Sequence, residues 1–160
     1  VHGFTTAYKL VYDTSLIVFK DFAPYEKEIR QGLQFVKHYF PNYKDRKKLI
    51  TYIGPIDGYG DVLSDDAIII GLHHHLGKNF SLYKSAFVQE TYPEYISNRF
   101  EPDYIAVNCM KNILNDLYPE KNDDRTLVHQ MVEKGKRFFI LDPFLTIQYC
   151  RGCLTCLKHQ

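Results

Sequence analysis

The stretch "IIIGLHHHLGKN", residues 68–79, decides how the chain is read. It joins an unbroken apolar run to three consecutive histidines, His73, His74 and His75. A short continuous apolar run bounded by turn residues suits a strand buried on both faces. "DAIIIGL" (66–72) is therefore expected to be such a strand. Histidine is the commonest metal ligand among side chains, so the triplet also raises the question of a metal site. In a strand, His73 and His75 would share one face and His74 the other; in a helical turn all three fan apart. Either way at most two ligands converge, whereas structural zinc needs four and catalytic zinc three plus water. The triplet reads as polar residues at a strand-to-loop edge.

Upstream, "KLITYIG" (48–54) predicts a second strand, closed by the turn-rich "GPIDGYGD" (54–61). The two strands should pair in a small sheet, with a further strand around Val62. Helices flank this sheet. Residues 4–20 predict the first. Pro24 opens the second, where Tyr25, Ile29, Leu33, Val36 and Phe40 share a face and Pro41 marks the end. A short helix is expected over 93–100, and a longer one over 102–117 with Ile105, Cys109, Ile113 and Leu117 in one stripe. After the polar loop "EKNDD" (120–124), a last helix carries Leu127, Met131, Gly135 and Phe138, widened by Val128, Val132 and Phe139. A face this wide is expected to lie in the core, and Gly135 is expected to mark a close approach. The result is an α+β fold, mainly helical, with a small sheet packed against four to five helices.

At 160 residues the chain is about one domain. A net charge of +1 argues against general nucleic-acid binding, which needs a basic excess. The one basic cluster, Lys44, Arg46, Lys47 and Lys48, reads as a solvated loop. No stretch approaches the ~20 apolar residues of a membrane span.

Other constellations are weaker than the triplet. His129 and Glu133 lie four apart on one helix and could form a general-base pair or half a metal site, but no H-E-x-x-H occurs, and Glu133 can equally pair with Arg137. The tail "YCRGCLTCLKHQ" places Cys150, Cys153, Cys156 and His159 three apart. That spacing allows a metal site, a disulfide, or no specific role. Nucleophile and phosphate-loop signatures are missing, including G-x-S-x-G and G-x-x-x-x-G-K. No cofactor is expected. The metal alternatives are His73, His75, His129 and Glu133, or the four tail residues.

Three stretches together carry a resemblance: "YEKEIRQGLQFVKHYFP" (25–41); "IIIGLHHHLGKNFSLY" (68–83) with "YPEYISNRFEPDYI" (92–105); and "RTLVHQMVEKGKRFFILDPFL" (125–145). In this order they resemble the gliding motility lipoproteins of the GldB type, over about residues 20–145. The M-x-x-x-G-K helix, carried by Met131, Gly135 and Lys136, is the most specific part beside the long middle block. The resemblance implies a cell-envelope protein held by an N-terminal lipid on the periplasmic side, required for gliding and linked to the associated secretion machinery. It implies partners among envelope proteins, membrane contact only through that lipid, and no nucleic acid.

The family is similar in layout to predicted zinc proteases, in which an H-E-x-x-H helix precedes a helix with a glutamate ligand. Glu133 would fall on the second helix, but the first, near 103–117, contains no histidine, so the resemblance implies a zincin-like arrangement whose metal site is lost. A metal-dependent hydrolase of zincin-like descent, or its inactive descendant, is the alternative to a non-enzymatic interaction protein. Relatives generally carry aspartate where His73 stands and tyrosine where His75 stands, which does not suit a histidine-built metal site. The chain begins at Val1 with no lipid-attachment cysteine, and the resemblance stops near Thr146. The expected organisation is one GldB-like domain over 1–146, with an unrelated or non-native tail over 147–160.

Overall fold

The computed structural model describes the backbone of residues 2–44, 46–119 and 126–156, and the side chains of 8–44, 46–119 and 126–141. Six α-helices surround a three-stranded sheet among these residues: α1 (His2–Val18), α2 (Ala23–Tyr39), β1 (Lys48–Tyr52), β2 (Val62–Leu63), β3 (Ala67–Gly71), α3 (Ala86–Thr91), α4 (Glu94–Ser97), α5 (Tyr104–Leu117) and α6 (Leu127–Cys156). The α+β class is as expected. The helix number exceeds four to five because α3 and α4 are separate short turns.

β3 is the central strand, and the sheet order is β1-β3-β2. β1 runs parallel to it, with Lys48 opposite Ala67 and Tyr52 opposite Gly71. β2 runs antiparallel, with Val62 opposite Ile69. The apolar run has the consequence expected of it: Ile68 and Ile70 are buried. They join the main core with Ile29, Leu33 and Val36 of α2 and Ile105, Cys109 and Ile113 of α5. The stripes read from helical spacing on α2 and α5 therefore face the sheet and each other. Pro24 sits in the first turn of α2, where a missing N–H costs nothing. A second cluster gathers Val11 of α1 with Ile56, Leu76, Tyr83, Val88 and Phe100. Phe19 packs against both clusters and ties α1 to the main body.

Lys47 departs from the solvated loop expected of the basic cluster. It is buried, and its ammonium donates to the carbonyls of Ser64 (2.8 Å) and Asp65 (2.9 Å). The aliphatic stem of a lysine can be covered while its head finds acceptors, and here those acceptors close the turn between β2 and β3.

The last helix reverses its expected orientation. Leu127, Val128, Met131, Val132, Phe138 and Phe139 are all exposed. The inward side carries Ile140, Leu141 and Arg137, whose guanidinium donates to Asn115 Oδ1 (3.0 Å) and to the Tyr118 carbonyl (2.6 Å). Among the described residues nothing lies within 4 Å of where a Cβ of Gly135 would stand, so none of them makes the close approach expected there. α6 continues past residue 147 to Cys156, through the expected domain boundary; its side chains from 142 onward, including Cys150, Cys153 and Cys156, and the whole of His159 lie outside the described residues.

The close approach lies instead at Gly71. A Cβ there would stand 2.6 Å from the Gly60 carbonyl oxygen and 2.7 Å from the His73 ring. Gly71→Ala is expected to destabilise the protein by about 1–3 kcal/mol through overpacking. Gly135→Ala is expected to be neutral or to stabilise by up to about 1 kcal/mol, because it removes the helix-interior penalty of glycine with no neighbour to displace. Denaturant titration of the two variants beside the parent checks the contrast; equal stability of both would refute it.

Candidate functional site

Gly71 ends β3, and the chain then enters a single tight turn, Leu72–His74, rather than an extended edge. The turn fans the three imidazoles in different directions, and all three are buried, at 0%, 8% and 1% exposure. The triplet does follow the strand directly, and its rings are buried there rather than turned to solvent. All three rings reach the loop 54–61, each at a different point, and His75 also reaches the Glu101 carbonyl.

His73 takes both sides of its ring to that loop. Its Nδ1 accepts from the Gly54 N–H at 3.0 Å, and its Nε2 lies 3.1 Å from the Tyr59 carbonyl. An acceptor on one side and a donor on the other require the neutral ring with the proton on Nε2. Burial lowers the His73 pKa to about 4; the neighbouring His74 adds to the shift, and the Tyr59 carbonyl and Asp61 offset part of it. His74 donates from Nε2 to the Ile56 carbonyl at 2.7 Å and stacks on Phe100 with ring centroids 4.7 Å apart. Burial lowers its pKa too, against the opposing pull of that carbonyl.

His75 faces the other way. Its Nε2 lies 3.0 Å from Asp61 Oδ2, and its Nδ1 3.2 Å from the Glu101 carbonyl. Both neighbours are acceptors, one a carboxylate and the other a main-chain carbonyl. Asp61 also accepts from the Gly71 N–H (3.1 Å), while its own carbonyl accepts from Asn112 Nδ2 of α5 (3.1 Å). Below the triplet, the Tyr83 hydroxyl donates to the His73 carbonyl at 2.6 Å and accepts from the Leu76 N–H at 3.2 Å. The Tyr52 hydroxyl donates to the Tyr59 carbonyl and lies 3.1 Å from that of Gly60. Among the described residues no buried side-chain nitrogen or oxygen lacks a partner. The arrangement is a set of polar side chains that satisfies the carbonyls of a partly buried loop.

The other candidates are not brought into it. Among the described residues no three His, Cys, Asp or Glu side chains stand together as a metal ion would require, so His73, His75, His129 and Glu133 do not converge. His129 is exposed on α6, with Nδ1 3.4 Å from Thr126 Oγ1. Glu133 accepts from Lys136 at 2.8 Å. Cys109 is buried in the main core, where burial pushes its thiol up and keeps it protonated. Sequence reasoning missed Asp61, Tyr83 and Phe100 as parts of the site. The one signal for Asp61 was its position at the end of the glycine-rich turn "GPIDGYGD".

Residues 3–148 match the family described as gliding motility protein GldB. The chain belongs to that family. The match begins well before residue 20, where the quoted stretches placed its start, and takes in α1. The zinc-protease layout is not part of what it shows. No curated protein and no solved structure matches the chain. Membership in the GldB family ties the chain to gliding motility and, as a lipoprotein family, to the membrane of the cell envelope. No helix among the described residues is long and apolar enough to cross a membrane.

The neutral state of His73 has a measurable consequence. Its folded pKa, about 4, lies below the ordinary 6.5. The unfolded chain therefore binds more protons between these values, and stability rises with pH across that window. The contribution is present in full above pH 6.5 and is lost as the pH falls through 4; His74 shifts in the same direction. Thermal melts between pH 7 and 4 should show a falling midpoint, and His73→Asn should be less stable at neutral pH and flatter in its pH dependence. An unchanged slope in that variant would remove His73 from the account.

Proposed function

We propose that this GldB-family domain is a non-enzymatic interaction factor of the gliding apparatus and its associated secretion machinery, acting on the periplasmic side of the envelope. The observation that carries the reading is Tyr59. It is 85% exposed, yet its own carbonyl is held by Tyr52 and His73. A tyrosine on a pinned loop offers a large amphipathic contact at low entropic cost, and this residue type is enriched at interface hot spots. The segment 86–97 is tied to this loop and carries exposed rings of its own. Tyr92 donates to the Gly58 carbonyl at 3.3 Å, and Phe87 and Tyr95 on α3 and α4 are 61% and 71% exposed. Partners are accordingly other envelope proteins, and nucleic acid is not among them.

The histidine cluster supports this reading rather than a catalytic one. Its donors and acceptors are committed to Gly54, Ile56, Tyr59, Asp61 and Glu101, so its chemistry is spent on holding the loop. Replacing Tyr59 with alanine is expected to leave folding nearly unchanged, because the ring itself is exposed. It should reduce spreading on agar in cells that depend on this protein, with protein level unaltered. A photo-reactive residue at position 59 should cross-link to another envelope protein. Normal spreading by the Tyr59→Ala strain, together with no cross-link, would defeat the proposal.

A further inference from the structure

We propose that the loop 54–61 is an acid-released latch: neutral His73 holds it closed, and a second proton on that ring frees it. The inference needs no partner at Tyr59. Acid could weaken the whole fold alike, but the bond that fails on protonation lies at one place. Nδ1 of His73 accepts from the Gly54 N–H at 3.0 Å. A proton on Nδ1 would set one N–H against another and leave both without an acceptor. The bond from Nε2 to the Tyr59 carbonyl (3.1 Å) survives, because that nitrogen donates in either state. Flipping the ring gives no relief, since a charged imidazole is a donor on both sides. Nor can the ring swing away. A Cβ on Gly54 would stand 3.2 Å from its Cε1, and a Cβ on Gly71 2.7 Å from the same atom, so the buried ring is wedged between two glycines. Gly71 belongs to the central strand, whereas Gly54 follows the end of β1 and begins the loop. The loop is the side that gives way.

The surroundings of the ring do not rescue its charged form. His74 lies beside it with ring centroids 4.4 Å apart, and a charge on His74 or His75 opposes one on His73. Asp61 favours the charge, but its carboxylate is already engaged by His75 at 3.0 Å and by the Gly71 N–H at 3.1 Å. The other acid of the loop, Asp57, is exposed. From β1 the Tyr52 ring meets His73 edge-on at 5.4 Å, and from beneath Tyr83 donates to the His73 carbonyl. Burial pushes both phenols up, so they stay neutral throughout the acid range. α1 also packs on the turn; its buried residues Val11 and Ser15 carry no charge, and its Lys9 and Asp13 are exposed. Desolvation therefore decides, and the closed loop keeps the His73 pKa down at about 4. Once the loop leaves, that penalty is relieved, so acid favours the open form.

The test is amide hydrogen exchange of the full 160-residue chain between pH 7 and 4, each rate taken relative to an unstructured peptide at the same pH. The amides of Gly54, Gly58 and Gly71 are all hydrogen-bonded within the clamp. Their protection should fall as the pH drops, by roughly 100-fold at pH 4, since each unit between the ordinary 6.5 and the closed-loop value is a factor of ten. Helical amides of α2 and α5 should keep theirs, and return to pH 7 should restore the loop. His73→Asn still offers Gly54 an acceptor but cannot take a charge, so it should lose most of the pH dependence. If that variant does not fold, the contrast between loop and helices in the parent chain still decides. Equal loss of protection in α2 and α5 overturns the latch, because acid then opens the whole fold. Unchanged protection at Gly54 and Gly58 overturns it too, as does a full acid drop in folded His73→Asn.

Discussion

The loop between β1 and β2 has to hide its backbone without regular structure. A covered loop carries N–H and C=O groups that neither helix nor sheet will pair, and an unpaired buried group costs as much as a lost hydrogen bond. Here the answer comes from side chains. His73 and His74 reach the loop from one side, Tyr52 from another, and Asp61 turns back from the loop to His75 and Gly71. The strand, the turn and the loop are therefore one polar unit, with β3 as its spine. The aromatic cluster of Tyr83, Tyr92 and Phe100 closes it from beneath. Each of those rings also touches or bonds the triplet or the loop.

This explains why three adjacent histidines need no metal to be buried. An imidazole can present a donor and an acceptor on opposite sides, and His73 uses both against a single loop. His75 stands instead between the Asp61 carboxylate and the Glu101 carbonyl. Neighbours in sequence thus serve different partners for reasons of geometry. Gliding motility enters through membership in the family, not through this chemistry. What the chemistry contributes is a rigid platform beneath an exposed tyrosine.

The sequence was informative wherever periodicity alone sets the answer. The apolar run of β3 and the stripes of α2 and α5 follow from spacing, and each lies where the spacing put it. The roles of His73 and His74 were not legible, because their partners are main-chain N–H and C=O groups 14 to 19 residues away, and those carry no sequence signature. Lys47 was misread for the same reason: its acceptors are main-chain atoms of a turn. On α6 periodicity located an apolar face correctly but could not give its direction. Burial there is decided by Ile140, Leu141 and the reach of Arg137 to α5. Gly135 followed that error, since its expected neighbour existed only if the face pointed inward.

The separations that made the clamp invisible to sequence reading also govern how it assembles. Every hydrogen bond from His73 and His74 to the loop closes a segment of 14 to 19 residues. Closing a loop of that length costs little more than closing a shorter one, because the entropy grows only with the logarithm of length. The parallel pairing of β1 with β3 closes the same segment in the same register. Residues 48–75 thus have the makings of a cooperative folding unit, whose main-chain amides open together or not at all.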